Sequence, residues 1–160
     1  MITKDLLHEL LDYDQLTGVF RWKKRTSMSI KVGDIAGRAY KVGYRVIKIK
    51  RVLYLAHRLA SLYMKGEWPN EVIDHINGVR DDNRFSNLRS VSRSVNAQNQ
   101  KKATATNKSG FLGVCEKSGK YRAQIMLNKK PIHIGYYSNP IDAHDAYLSK
   151  KREIHEGCTI

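Results

Sequence analysis

The stretch from Val72 to Asn96 constrains the fold more than any other part of the chain. It reads as two short strand-like runs, one ending in Asp74-His75 and one from Leu88 to Val91. Runs this brief suit strands and are too short for buried helices. Between them lie Asn77-Gly78, a strong turn signal, and the polar loop Arg80-Asp81-Asp82-Asn83-Arg84. Ser92 can then open a helix that carries Asn96 and Asn99. The pattern predicts a β-hairpin crossed by a helix, with Asp74-His75 ending the first strand and Asn87 entering the second.

That arrangement suits phosphodiester hydrolysis. Asp74 and Asn96 are oxygen donors of the kind Mg²⁺ or Mn²⁺ prefers, and so few protein ligands leave coordination positions for water and phosphate oxygens. A histidine has an ordinary pKa of ~6.5, so His75 can take a proton from an attacking water near neutral pH. Strand alternation points its side chain away from that of Asp74 unless the strand bends. Asn87 can orient His75 or hold the hairpin loop. Taken alone, an Asp-His pair is more often a capped turn, and Asn-rich loops usually serve turns through side-chain hydrogen bonds. His57 opens a helix ahead of the hairpin and reads better as a packed residue than as a catalytic one. Arg93, one turn before Asn96, is placed to grip a phosphate.

Composition narrows the function classes. The chain has 160 residues, 29 Lys and Arg against 15 Asp and Glu, and a net charge of +14. The excess is spread, at +7 over residues 1–55, +3 over 56–102 and +4 over 103–160. A protein charged along its whole length is expected to lie along a polyanion, most often nucleic acid. No apolar run approaches the ~20 residues of a membrane helix, and the N-terminal MITKDLLHELLDYD lacks a signal peptide's pattern. Two cysteines, Cys115 and Cys158, make neither a disulfide framework nor a multi-cysteine zinc site. The expectation is a cytoplasmic protein without a membrane partner. No dimer seam is evident, so a monomer is expected, with a dimer left open.

Elsewhere the pattern alternates between short elements. Thr3 can cap a helix whose stripe is Leu6, Leu7, Leu10 and Leu11. Val19 to Trp22, Tyr44 to Ile49 and Val52 to Leu55 read as strands, the last two joined by a tight turn at Lys50-Arg51. His57 to Met64 reads as a helix ended by Gly66. Residues 103–109 have a linker's composition. Phe111 to Cys115, Lys120 to Leu127 and Pro131 to Tyr137 form an expected three-strand meander, with turns at Ser118-Gly119 and Asn128 to Lys130. A helix capped by Ser138 or Asn139, with Pro140 first, runs to about Glu156 with Gly157 after it. Its expected packing face is Ile141, Asp142, Ala143, Ala146, Tyr147 and Leu148. Phe111, Ile125, Ile134, Tyr137 and Tyr147 are expected in the core, as are Trp22 and Tyr44.

The run DHINGVRDDNRFSNLRSVSRSVNAQNQ, with HRLASLYMKGEWPNEVI before it, resembles the HNH endonucleases of the ββα-metal class, in the variety found in bacteriophages and mobile introns. The resemblance covers about His57 to Gln100. It implies Asp74 and Asn96 as ligands of one divalent ion, Mg²⁺ with Mn²⁺ able to substitute. It also implies His75 as general base and Asn87 as the structural middle residue of the motif. Asn96 stands where the family's third letter is histidine, which favours a hard ion over zinc.

The segment from Asn107 to Gly157 resembles the DNA-binding (AP-two) domain of plant ethylene-response factors, through Gly113-Val114, Lys120-Tyr121, Ala123 with Ile125, Ile134-Gly135, Ala143, Ala146-Tyr147 and Gly157. This implies three antiparallel strands on one helix, with the sheet entering the major groove. Leu112 and Cys115 stand where the family has base-reading arginines, and Tyr121 where it has a contact tryptophan. The plant target therefore does not transfer, and Lys117, Lys120, Tyr121, Arg122, Lys129 and Lys130 are the expected contacts. In the first third, Lys23, Lys24 and Arg25, with Lys48, Lys50 and Arg51, form loops expected to run along phosphates.

The expected architecture is thus α+β. A nuclease domain spans 1–102, made of a β-rich part (1–55) and a helix plus ββα core (56–102). A linker at 103–109 and a DNA-binding domain at 110–157 follow. The expected function is site-specific DNA cleavage of the homing type. The alternatives are a non-catalytic DNA-binding regulator and a non-specific nuclease.

Overall fold

A computed structural model describes all 160 residues. The fold is α+β, with several small antiparallel sheets. It divides into two compact units, Met1–Ser92 and Arg93–Ile160. The division falls ahead of the expected linker, so the helix carrying Asn96 groups with the C-terminal unit.

In the first unit, helix α1 (Lys4–Leu10) starts at Thr3, whose hydroxyl accepts the Leu6 N–H at 3.3 Å. Leu11 does not extend the helix, as its place in the leucine stripe predicts. It opens strand β1 (Leu11–Asp14), which pairs with β2 (Val19–Trp22). The alternation Leu11 and Tyr13 in, Asp12 and Asp14 out overrides the helical period. Asp14 holds the connecting turn by accepting the Leu16 N–H at 2.9 Å and the Thr17 hydroxyl at 2.7 Å.

A second sheet has the order β3 (Arg38–Ala39), β4 (Arg45–Ile49), β5 (Val52–Leu55). The two-residue Arg38–Ala39 strand carries no sequence signal of its own. Lys50 and Arg51 both take left-handed φ values, 47° and 69°, which is the tight hairpin turn the sequence calls for. Helix α2 (Ala56–Lys65) follows at once and stops at Gly66, with φ 86°. Its Leu59, Ala60 and Leu62 pack in one cluster with Leu7, Leu11, Phe20, Trp22 and Ile47. Each such leucine or phenylalanine contributes roughly 1.5–3 kcal/mol by leaving water. Strands β6 (Val72–His75) and β7 (Leu88–Val91) complete the unit as an antiparallel pair.

The second unit opens with the short helix α3 (Arg93–Gln98). Strands β8 (Val114–Lys117), β9 (Lys120–Leu127) and β10 (Lys130–Tyr137) form the expected meander, followed by helix α4 (Pro140–Ile154). Asn139 caps α4 by accepting the Asp142 N–H at 2.9 Å. Val114, Ala123, Ile125, Ala143 and Tyr147 are the core, with Phe111, Ile134 and Tyr137 packed on it.

Three expectations change here. The first strand starts at Val114 rather than Phe111, because Gly113 turns the chain at φ +77°. A Cβ there would lie 2.0 Å from the Tyr147 ring. Residues within 103–109 are not a bare linker: Asn107 Nδ2 donates to the carbonyls of Phe111 (2.9 Å) and Val114 (3.2 Å), and the Ser109 hydroxyl donates to Val114 at 2.8 Å. On α4, Ile141 is exposed and Asp142 faces solvent, while Lys151 is almost fully buried.

Candidate active site

The β6–β7 hairpin gives adjacent residues two different surroundings. Asp74 lies across from Arg89 in the antiparallel register. The Arg89 guanidinium donates to Asp74 Oδ2 through Nε at 3.0 Å and Nη2 at 2.9 Å. The Asp74 side chain is 8% exposed and that of Arg89 25%, so this is a largely dry ion pair. His75, next along the strand, meets other partners. Its ring is 5.1 Å edge-to-face from that of His57 and 6.0 Å from that of Tyr44. Its Nε2 lies 3.5 Å from Asn83 Oδ1.

Burial pushes the pKa of His75 below the ordinary histidine value, against the opposing pull of Asn83, Asp74 and Asp82. The ring is therefore neutral at pH 7, the form that accepts a proton. His57 is pushed down further, to about 3, by burial first and then by His75 and Arg58. It sits in the first turn of α2, and its Nδ1 is buried without a hydrogen-bond partner.

The loop between the strands is strapped by its own side chains. Asn87 Oδ1 accepts the Asn77 N–H at 2.9 Å, and Asn87 Nδ2 donates to the Asp82 carbonyl at 2.8 Å. One carboxamide thus ties both ends of the loop. Asn77 Nδ2 donates to Asp82 Oδ2 at 2.6 Å, and Arg84 grips the same carboxylate, holding the Asp82 pKa down at about 2. Asn83 is 1% exposed. Its Nδ2 donates to the Asp81 carbonyl at 3.0 Å, and its own carbonyl accepts the Tyr13 hydroxyl at 2.6 Å. Arg45 forks onto Asp81 at 2.8 Å, and Arg80 lies 5.1 Å over the Tyr44 ring.

Asp74, His75 and Asn87 therefore come together on one hairpin. Asn96 is half-buried on α3, in the other unit. The sequence reading missed Arg89, Asn83 and the role of Tyr44, which it placed in the core. Arg89 was accessible in principle, since pairing the two strands end to end sets it opposite Asp74. Asn83 carries no such signal, because in a loop of Asp, Asn and Arg only tertiary packing shows which residue is buried.

The basic residues expected on DNA are placed as follows. Lys23, Lys24 and Arg25 are exposed, with Lys23 Nζ donating to the His8 carbonyl at 2.9 Å and Lys24 paired with Glu9 at 2.7 Å. Lys48, Lys50 and Arg51 are exposed on β4 and its turn, and Arg93 is exposed at the start of α3. Lys117, Lys120 and Lys130 are exposed at strand ends, and Lys129 is exposed in the β9–β10 turn. Arg122 is aligned with Cys115 on one side and Tyr136 on the other. Tyr121 differs from its expected position. It shares strand parity with Ala123 and Ile125 and packs on their core, so its ring belongs to the side of the sheet that faces α4.

The hairpin thus sets a neutral histidine beside an ion-paired aspartate. Residues 54–98 match the family model of the HNH endonucleases, a stretch that takes in α2, the hairpin and α3. This segment is thus similar to the HNH endonucleases, a family of nucleases that generally use a divalent metal ion. No curated protein and no solved structure matches the chain. The donor set fits such an ion. An ionised carboxylate offers about four acceptor positions, so the Arg89 fork on Oδ2 is compatible with metal ligation by Asp74. No group of three or more His, Cys, Asp or Glu residues is placed to hold a metal ion. No helix is long and apolar enough to cross a membrane.

Proposed function

We propose that the protein is a site-specific HNH DNA endonuclease of the homing type, which nicks or cuts double-stranded DNA by hydrolysing a phosphodiester bond. The observation that carries this reading is the buried His75, neutral near pH 7, one residue from the ion-paired Asp74 and inside the segment matched to the HNH family. Asp74 and Asn96 would hold one divalent ion, Mg²⁺ or Mn²⁺. When bound, such an ion neutralises charge on the scissile phosphate and stabilises the leaving 3′ oxygen. His75 accepts the proton of the attacking water, and the attack is in line with the departing oxygen. The products are a 5′-phosphate and a 3′-hydroxyl. Arg89 fixes the orientation of the Asp74 carboxylate, and Asn87 keeps the loop closed behind it.

The β8–β10 sheet on α4 acts as an AP-two-like reader, with Lys117, Lys120, Arg122, Lys129 and Lys130 on the duplex. The basic turns of the first unit add phosphate contacts. These raise affinity without reading sequence. The chain works as a monomer in the cytoplasm of the cell that holds its target.

The test incubates the purified protein and its His75→Ala variant with genomic DNA in Mg²⁺ and maps break ends by sequencing. A few recurrent breaks, absent in the variant and with EDTA, are expected. Scattered breaks would overturn site specificity. Intact DNA in both Mg²⁺ and Mn²⁺ would overturn the nuclease reading.

A further inference from the structure

The final residues of the chain pack on α3 in a way that neither the HNH segment nor the sheet explains. Gly157 donates its backbone N–H to Gln98 Oε1 at 3.0 Å. A Cβ at Gly157 would lie 2.2 Å from the Val95 carbonyl oxygen and 2.9 Å from Gln98 Cβ, so only glycine allows this approach. The α4 helix already ends at Ile154, with His155 as its cap. Gly157 thus serves contact with α3 rather than helix termination.

Two further ties flank it. The Thr159 hydroxyl donates to Asn99 Oδ1, and the Lys101 ammonium donates to the Thr159 carbonyl at 3.4 Å. Lys151 is 1% exposed, and its ammonium donates to the Gln100 carbonyl. Burying a lysine is costly unless its donors are satisfied, so this one is committed to the residues that follow α3. Asn99 itself is buried. A six-residue helix cannot hold itself in water, and isolated helices shorter than about 12 residues are marginal. Its position has to come from what it packs against.

We propose that the segment Gly157–Ile160 is the seat of α3. Gly157 and Thr159 are then positioning residues for Asn96, and the reader module and this metal-ligand helix form one body. The inference rests on the reading of Asn96 as a metal ligand. Its consequence is that α3 is held to the β8–β10 module through Gly157–Ile160.

The test uses the full chain and the variants Gly157→Val, Thr159→Val and Thr159→Ser. Hydrogen exchange of amides 93–99 reports the seat directly and needs no metal. Mn²⁺ binding, read by EPR titration with the metal alone, reports Asn96. Nicking of supercoiled plasmid and duplex binding in EDTA report the two halves of function. Exchange at 93–99 is expected to speed up about tenfold or more in Gly157→Val and Thr159→Val, while that of β8–β10 stays unchanged. Mn²⁺ affinity should fall about 10-fold, the range for a residue that orients a metal ligand. The turnover of nicking should drop with the DNA dissociation constant unmoved, and Thr159→Ser should restore both. Unchanged exchange at 93–99 in both valine variants would overturn the seat. Faster exchange with Mn²⁺ affinity and nicking intact would overturn the positioning role. Absence of Mn²⁺ binding and nicking in the unmodified protein would overturn the metal-ligand reading of Asn96 and the positioning role built on it, and the exchange data would then judge the seat alone.

Discussion

Replacing Arg89 by Met isolates the electrostatics of the hairpin. The substitution keeps an unbranched side chain on β7 and removes the two donors that hold Asp74 Oδ2 at 3.0 and 2.9 Å. Breaking a fully buried pair by deleting one partner costs ~3–5 kcal/mol, because the remaining charge is left unpaired in a dry place. Here Asp74 is 8% exposed but Arg89 is 25% exposed, so solvent screens part of the attraction. A loss of about 2–3 kcal/mol follows after that discount. For a unit of 92 residues, each kcal/mol lowers the melting temperature by roughly 4–8 °C, so a drop on the order of 10–20 °C is expected. Urea unfolding of four proteins separates the pair from the packing: the parent, Arg89→Met, Asp74→Asn and the double variant. The double variant should be less destabilised than the sum of the singles, with a coupling of about 1–3 kcal/mol. Strictly additive losses would refute the account, since the two side chains would then contribute independently.

The pH dependence of cleavage should show the buried base. His75 acts when neutral, and burial lowers its pKa, so the acid limb of the rate profile is expected below pH 6.5; a limb centred above 6.5 would contradict its burial. Gly113→Ala is expected to unfold the C-terminal unit selectively, at a cost of at least about 3 kcal/mol. The residue has φ +77° and its Cβ would enter the Tyr147 ring. Near-ultraviolet circular dichroism with unit-resolved hydrogen exchange checks this, and an unaltered melting temperature would refute it.

Much of this was legible because the signals are local. The Lys50-Arg51 turn, the Gly66 stop, the Asn139 cap with Pro140 and the Asp-His strand end each depend on neighbours a few residues away. Where tertiary packing decides, the sequence misleads. Leu11 fits a helical stripe and a strand equally well, and its pairing with Trp22 makes it a strand residue. Lys151 is buried with its ammonium donating to the Gln100 carbonyl, a partner far away in sequence that no local signal shows. Tyr121 reads as a contact residue by resemblance, yet strand parity sets it with Ala123 and Ile125. In the site, Asp74 and His75 were visible as chemistry, but Arg89 and Asn83 emerge only from register and burial.

In the proposed mechanism, the order Asp-His separates two conflicting tasks. A metal ligand must remain an anion, and a general base must remain neutral yet ready to accept a proton. One environment cannot serve both. Consecutive residues of a strand point to opposite faces, so a single peptide step moves from one environment to another. Asp74 faces a guanidinium that supplies its counter-charge. His75 faces His57 and Tyr44, and His57, itself pushed to about 3, stays uncharged and so adds no positive charge beside the His75 ring. A protonated partner in the place of His57 would repel the proton that His75 must accept. Under the proposed mechanism, the buried position of His57 at the start of α2 would serve the chemistry of the hairpin as well as its packing.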